Sequence, residues 1–406
     1  MPKRSVRDLD VAGKRALVRV DFNVPLENGQ VADDTRIRAV LPTLELLLSG
    51  GASAVLCSHL GRPKGKDPKY SLAPVAARLA ELLGKPVAFA GDTAGPDARA
   101  KAAALKPGEV LVVENTRFEE GEAVKGKDAA GNKIETFDPA FSQALAALGD
   151  FFVNDAFGSS HRAHSSVVGV THYLKPAVAG LLVEKELDML SRVYHAPQEG
   201  FVVILGGAKV DDKIGVIRSL LPKCGTMLIG GAMTYSFMAA QGRPIGASLL
   251  LPASLEAARG ILADSRPEDL ARLRLPHDVH MTEVGTNYQR RKIVPVAFMR
   301  EHWEGLDIGP ETAREYADIA RRAQTVFWNG PMGMFEVEPF GEGTRAVATG
   351  LAESAGLTVV GGGDSARAIQ EMGFAEKVSH VCTGGGASLE FLAQGDLPGV
   401  AALDDA

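Results

Sequence analysis

Arg15-Ala16-Leu17-Val18-Arg19-Val20 runs without a break into Asp21-Phe22-Asn23. A short run rich in Val, Leu and Ala reads as a buried strand. The polar triplet at its carboxyl end then reads as a ligand-facing loop, provided the sheet is parallel. The pattern recurs. Apolar runs at 52–57, 109–113 and 150–153 end in Ser58-His59-Leu60-Gly61-Arg62, in Glu114-Asn115-Thr116-Arg117-Phe118 and in the polar segment 154–164, which holds His161, Arg162 and His164. Between them, Leu72, Val75, Ala76, Leu79, Leu82 and Leu83 share one helical face, with Ser71 placed to cap the helix and Gly84 and Pro86 to stop it. Strands alternating with amphipathic helices predict an α/β unit on a parallel sheet.

A chain of 406 residues has room for two or three domains. The alternation restarts with apolar runs at 201–205, 226–229, 325–328, 357–360 and 380–382, predicting a second α/β domain. Between the halves Val183, Leu187, Leu190 and Tyr194 recur at helical spacing before Pro197 and Gly200, and this helix reads as a connector. The segment 121–137 is charged and reads as an exposed loop. It holds Gly121, Gly126 and Lys127 at P-loop spacing, but Asp128 stands where Ser or Thr must hold magnesium, and no strand feeds it.

A net charge of −6 offers no basic excess for an extended nucleic-acid surface. No apolar run approaches the roughly 20 residues of a membrane span. Cys57, Cys224 and Cys382 are odd in number and far apart, as in a reducing compartment, so neither disulfide nor zinc site is expected and a cytoplasmic location is.

The loops of the first half carry His59, Arg62, Arg117 and Arg162, which should converge with Arg36 at one sheet edge. Two cations ~8 Å apart repel by about 2 kcal/mol at an effective dielectric near 20, so such a cluster calls for an anion. Arginine forks match carboxylate and phosphate, while Asp21 and Asn23 suit a hydroxyl. A small hydroxylated polyanion follows.

The second half places glycines after its strands: Gly206-Gly207-Ala208-Lys209, Gly230-Gly231-Ala232, Asn329-Gly330-Pro331, Gly361-Gly362-Gly363-Asp364-Ser365 and Gly384-Gly385-Gly386. Such turns bring backbone N–H groups and helix N-termini to phosphate oxygens. Lys209 and Lys213, four apart, should share one helix face there, and Asp364 is placed to hold magnesium beside phosphates. On the residues themselves two other classes stay open. One is a nicotinamide oxidoreductase, although no Gly-x-Gly-x-x-Gly with its acidic partner is present; the other is a protein that binds anions without turning them over.

The segments 19–25, 58–63, 158–166, 206–214, 328–333 and 361–365 together resemble the phosphoglycerate kinase family, in order and through both halves. The resemblance implies two Rossmann-like domains with parallel sheets flanked by helices. A triose-phosphate-binding domain would span 1–182, a connector helix 183–196 and a nucleotide-binding domain 197–406, with the last residues packing back on the first domain. It implies a glycolytic, reversible phosphoryl transfer between 1,3-bisphosphoglycerate and ADP, giving 3-phosphoglycerate and ATP with Mg2+, by a monomer. By motif position Asp21, Asn23, Arg36, His59, Arg62, Arg117 and Arg162 would hold the triose. Lys209, Lys213, Asn329, Pro331, Glu336, Gly362, Gly363, Asp364 and Ser365 would hold nucleotide, with Glu336 at the ribose, Asp364 at magnesium and Gly230 and Gly231 near adenine. Arg36, Lys209, Gly385 and Gly386 would surround the migrating phosphoryl group. Segment 121–137 is longer than the family's usual connection and 248–291 departs from its commoner wording, and neither carries these residues.

Overall fold

The computed structural model describes residues 2–127 and 133–406, in two compact units: Met1–Asp188 with Asp396–Ala406, and Met189–Gly395. The boundary falls inside helix Leu181–Tyr194, where the sequence predicted a connector at 183–196. Asp155 caps this helix from a neighbouring strand: its Oδ1 accepts from the N–H of Leu182 at 2.9 Å.

The first unit is built on six parallel strands in the spatial order Ala177–Ala179, Phe151–Asp155, Arg15–Val20, Ser53–Cys57, Val110–Val112, Val87–Phe89. Strands covered on both faces read as continuous apolar runs, which is why the four central ones were visible in sequence and the edge strands Val87–Phe89 and Ala177–Ala179 were not. Helices Thr35–Ser49 and Ala73–Leu83 bury Ile37, Val40, Leu44 and Leu47, and Val75 and Leu79, in the same core as Val18, Val20 and Leu56. Gly84 ends the second helix in the left-handed region, φ 62°. Ser71 stands one residue ahead of its expected place: Leu72 is the N-cap, while the Ser71 hydroxyl accepts from Ala73 N–H at 3.2 Å and donates to Glu114 at 2.8 Å.

The described residues of segment 121–137 do not form the expected loop. A 3-10 turn, Glu120–Glu122, leads into an antiparallel hairpin, Val124–Lys127 with Lys133–Thr136. Gly126 and Lys127 lie in its first strand, so the P-loop spacing has no phosphate loop behind it; Asp128 is outside the described residues.

The second unit has six parallel strands in the order Leu273–Arg274, Thr226–Ile229, Phe201–Leu205, Thr325–Asn329, Leu357–Gly361, His380–Val381. Numbered along the chain this is 3-2-1-4-5-6, the Rossmann order, with its switch point between Phe201–Leu205 and Thr325–Asn329. An antiparallel sheet of Asp278–Glu283, Arg291–Pro295 and Trp303–Ile308, unforeseen from sequence, has its own small core around Tyr235, Met238, Val279 and Met281.

Asp278 joins this sheet to the helix Pro310–Arg322, whose N-cap, Gly309, has no side chain. The buried Asp278 carboxylate supplies the cap, accepting from the N–H groups of Thr312 at 2.9 Å and Glu311 at 3.1 Å. A Cβ at Gly309 would come within 2.2 Å of it, so the position is restricted to glycine. Replacing Asp278 by Ala orphans these donors and should destabilise the second unit by about 1–2 kcal/mol. The midpoint of urea unfolding checks this, and an unchanged midpoint would remove the cap from the account.

Candidate functional site

In the first unit the expected residues gather at the carboxyl ends of the strands. Asp21 and Asn23 follow Arg15–Val20, His59 and Arg62 follow Ser53–Cys57, Arg117 sits in the 3-10 turn Thr116–Phe118, and Arg162 comes after Phe151–Asp155. Buried Asn115 stitches two of these loops together. Its Oδ1 accepts from Leu60 N–H at 3.2 Å and Arg117 N–H at 3.0 Å, and its Nδ2 donates to the carbonyls of Leu60 at 2.8 Å and Tyr70 at 2.9 Å. Asn23 and Arg117 grip the Gly61 peptide from both sides, Asn23 Oδ1 accepting its N–H at 2.8 Å and Arg117 donating to its carbonyl at 2.6 Å. Arg36, from the first turn of helix Thr35–Ser49, donates to Asp21 at 2.9 Å. Arg162 lies 3.7 Å from Glu135 of the hairpin, whose carboxylate also meets His164 Nε2 at 3.1 Å.

Electrostatics records the crowding. The Arg117 guanidinium is pushed below its ordinary value by burial, then by Arg19, with Arg62 adding to the effect. His59 is held well below the usual histidine range by burial, then by Arg19, Arg117, His164 and Arg36. The sequence counted His59 among the cations; at neutral pH it is an uncharged hydrogen-bonding ring. Sequence reasoning also missed Arg19, only 1% exposed, whose Nη2 donates to His59 Nδ1 at 3.1 Å. Its place in the middle of an apolar strand was the available signal.

In the second unit, a cleft of about 420 Å³ opens at the switch point, within the volume range of small-molecule sites. It is lined by the turns Gly207-Ala208-Lys209, Asn329-Gly330-Pro331, Gly362 to Ser365 and Gly385-Gly386, together with Asp212 and Lys213. Helices Gly363–Glu371 and Gly385–Gln394 both begin here, so two N-termini with uncommitted N–H groups face one space. The turns pack backbone to backbone. Gly330, at φ 93°, leaves no room for a Cβ, which would sit 2.4 Å from the Gly206 carbonyl. Ser365 ties two of them, accepting from Gly330 N–H at 2.9 Å and donating to the Gly361 carbonyl at 2.6 Å. Asn329, 3% exposed, keeps its Nδ2 without a hydrogen-bond partner among the described residues.

Lys209 and Lys213 both reach the cleft, though not from one helix face. Asp211–Lys213 forms a 3-10 turn, and the helix starts only at Ile214. Lys209 is exposed, 3.8 Å from Asp212, whereas burial lowers the Lys213 ammonium against the pull of Asp212 and Asp364. Gly230 and Gly231 do not line the cleft; they back it, packed against Met332 and against Gly207 and Pro331. Glu336 also lies off the lining, paired with Arg367. Asp364 is the carboxylate in the first turn of Gly363–Glu371, a hard oxygen donor in a cleft otherwise furnished for phosphate.

The sequence profile of the family described as phosphoglycerate kinase matches residues 6–395. The chain is 54% identical over 409 residues to the phosphoglycerate kinase of Roseiflexus castenholzii, and 54% identical over 413 residues to that of Chloroflexus aurantiacus, each alignment covering 100% of both chains. Among solved structures it is similar to phosphoglycerate kinase from Coxiella burnetii, with a TM-score of 0.86 and 35% identity over 99% of this chain and 98% of that one.

Burial pushes the His161 imidazole down to about 4, with Arg162 adding to the effect, and the same cause lowers His59. The unfolded chain, whose histidines titrate near 6.5, therefore takes up protons first as pH falls. Stability from the His161 ring is full above about pH 6.5 and is lost toward pH 4. Between about pH 7 and about pH 4.5 the wild type should lose more stability in urea than the His161→Gln variant. Parallel losses would show that His161 does not carry the effect.

Proposed function

The chain belongs to the phosphoglycerate kinase family and is a phosphotransferase of glycolysis; from that premise we propose how its residues divide the reaction. The proposed reaction is reversible transfer of a phosphoryl group between 1,3-bisphosphoglycerate and ADP, giving 3-phosphoglycerate and ATP. The observation that carries the assignment is the cleft of the second unit, where two helix N-termini, the lysines Lys209 and Lys213 and the carboxylates of Asp212 and Asp364 surround a space of nucleotide-phosphate size.

In this reading Asp21, Asn23, Arg36, His59, Arg62, Arg117 and Arg162 hold the acidic triose. Crowded guanidinium groups supply charge, and neutral His59 supplies a hydrogen bond. Lys209, Lys213, Asn329, Pro331 and Gly362 to Ser365 hold the nucleotide phosphates, Glu336 the ribose, and Gly230 and Gly231 the adenine end. Asp364 suits Mg2+, which takes one or two protein carboxylates alongside phosphate oxygens; when bound, the ion offsets the negative charge of the polyphosphate.

In the ATP-consuming direction the nucleophile is the carboxylate of the substrate. Carboxylic acids titrate near 4, so it is already ionised at neutral pH and no general base is required. The protein's task is in-line positioning and stabilisation of charge on the equatorial oxygens. Arg36, Lys209 and the N–H groups of Gly385 and Gly386 are assigned to it. Because the triose residues and the nucleotide residues belong to different units, the reaction requires a closure that brings the two ligands together and keeps water from the acyl phosphate. The reading includes a monomer and a cytoplasmic location, the sparse cysteines supporting a reducing compartment.

An assay for ATP formed from ADP and 1,3-bisphosphoglycerate tests the activity. Arg36→Ala should lower kcat at least about 100-fold, the scale of losing one transition-state donor, and near-normal turnover would refute its role. Small-angle scattering should show a smaller radius with both ligands than without, and an unchanged radius would count against closure.

A further inference from the structure

Behind the cationic face of the first unit lie a guanidinium and a carboxylate, Arg19 and Glu122, each 1% exposed. Burying either alone is costly, and here Ser166, fully buried, stands between them. Arg19 Nε donates to Ser166 Oγ at 2.8 Å, and that hydroxyl donates to Glu122 Oε1 at 2.6 Å. Glu122 also accepts from the Ser166 N–H at 3.0 Å and the Thr116 hydroxyl at 3.0 Å. The polarity is forced, because a guanidinium only donates and a carboxylate only accepts. At the other end Arg19 Nη2 meets His59 Nδ1 at 3.1 Å and Ser159 Oγ at 3.4 Å, while Nη1 donates to the Val20 carbonyl. Since arginine has no acceptor, Nδ1 must carry the lone pair, and a neutral ring then holds its proton on Nε2.

We propose that Glu122, Ser166 and Arg19 are positioning residues that lock His59 in the Nε2–H tautomer and so leave that N–H as the donor to an oxygen of the acidic triose. This rests on the phosphoglycerate kinase reading of the face. Arg117, His164 and Arg36 also surround His59 electrostatically and share in keeping it uncharged. The chain thus does two things at once: it neutralises a buried arginine, and it uses that arginine to choose which ring nitrogen faces the ligand.

Nitrogen-15 NMR of the full chain with labelled histidine, His59 being assigned from the spectrum of His59→Asn, reads the tautomer directly. The wild type should show a protonated Nε2 and a bare Nδ1. Arg19→Met should lose that pattern and raise KM for 3-phosphoglycerate about tenfold, the usual scale for losing one buried partner, with KM for MgATP held within about twofold. Ser166→Ala, a milder change, should shift both readouts the same way. An unchanged tautomer and unchanged triose KM in Arg19→Met would overturn the proposal, and so would an equal rise in both KM values, which marks general loosening. A wild type that binds 3-phosphoglycerate with His59 in mixed tautomers overturns the positioning claim alone. One that shows the single tautomer yet does not bind 3-phosphoglycerate overturns the functional reading and this role of His59 with it.

Discussion

Parallel pairing makes every strand of a sheet end on the same edge, and it leaves each connection to cross back over a face. Both large sheets of this chain obey that constraint. Chemistry is thereby confined to two rims, one at the carboxyl ends of each sheet, and a crevice opens where neighbouring strands send their connections in opposite directions. In the second unit this point lies between Phe201–Leu205 and Thr325–Asn329, and the cleft is found there. In the first unit Arg15–Val20 and Phe151–Asp155 are the corresponding neighbours, and Arg19 reaches the rim from beneath.

In the proposed reading the two rims meet anionic groups by different means. In the first, long side chains supply full charges whose mutual repulsion is tempered by Asp21, Glu122 and Glu135. In the second, glycines recur along the lining, three of which (Gly330, Gly362 and Gly385) leave no room for a Cβ, and of the lining side chains Lys209 and Lys213 carry the positive charge. A guanidinium fork matches a compact acid, whereas N–H groups at helix starts suit a phosphate chain.

Much of this was readable in advance because it rests on short-range pattern. The central strands announce themselves as apolar runs, and the polar or glycine-rich loops follow at once, so the rim residues could be named before any coordinates. What escaped depends on long-range packing. Nothing near His59 says that it is buried among cations and uncharged, and nothing near Glu122 says that it lies inside rather than in an exposed loop. The sheet at Asp278–Glu283, Arg291–Pro295 and Trp303–Ile308 mixes charged and apolar residues on half-exposed strands, a weaker signal than a buried run. Lys209 and Lys213 were paired through a helical spacing that the intervening 3-10 turn does not have.

Trp328 is completely buried, its indole N–H donating to the Gly330 carbonyl at 2.7 Å, and the chain's other tryptophan, Trp303, lies under the ammonium of Lys292. Both belong to Met189–Gly395. Indole emission therefore reports on that unit alone, with one fluorophore bonded to the cleft's own backbone. Melting of the other unit would leave this light largely unaltered, so a single optical transition does not establish that the whole polypeptide unfolds in one step.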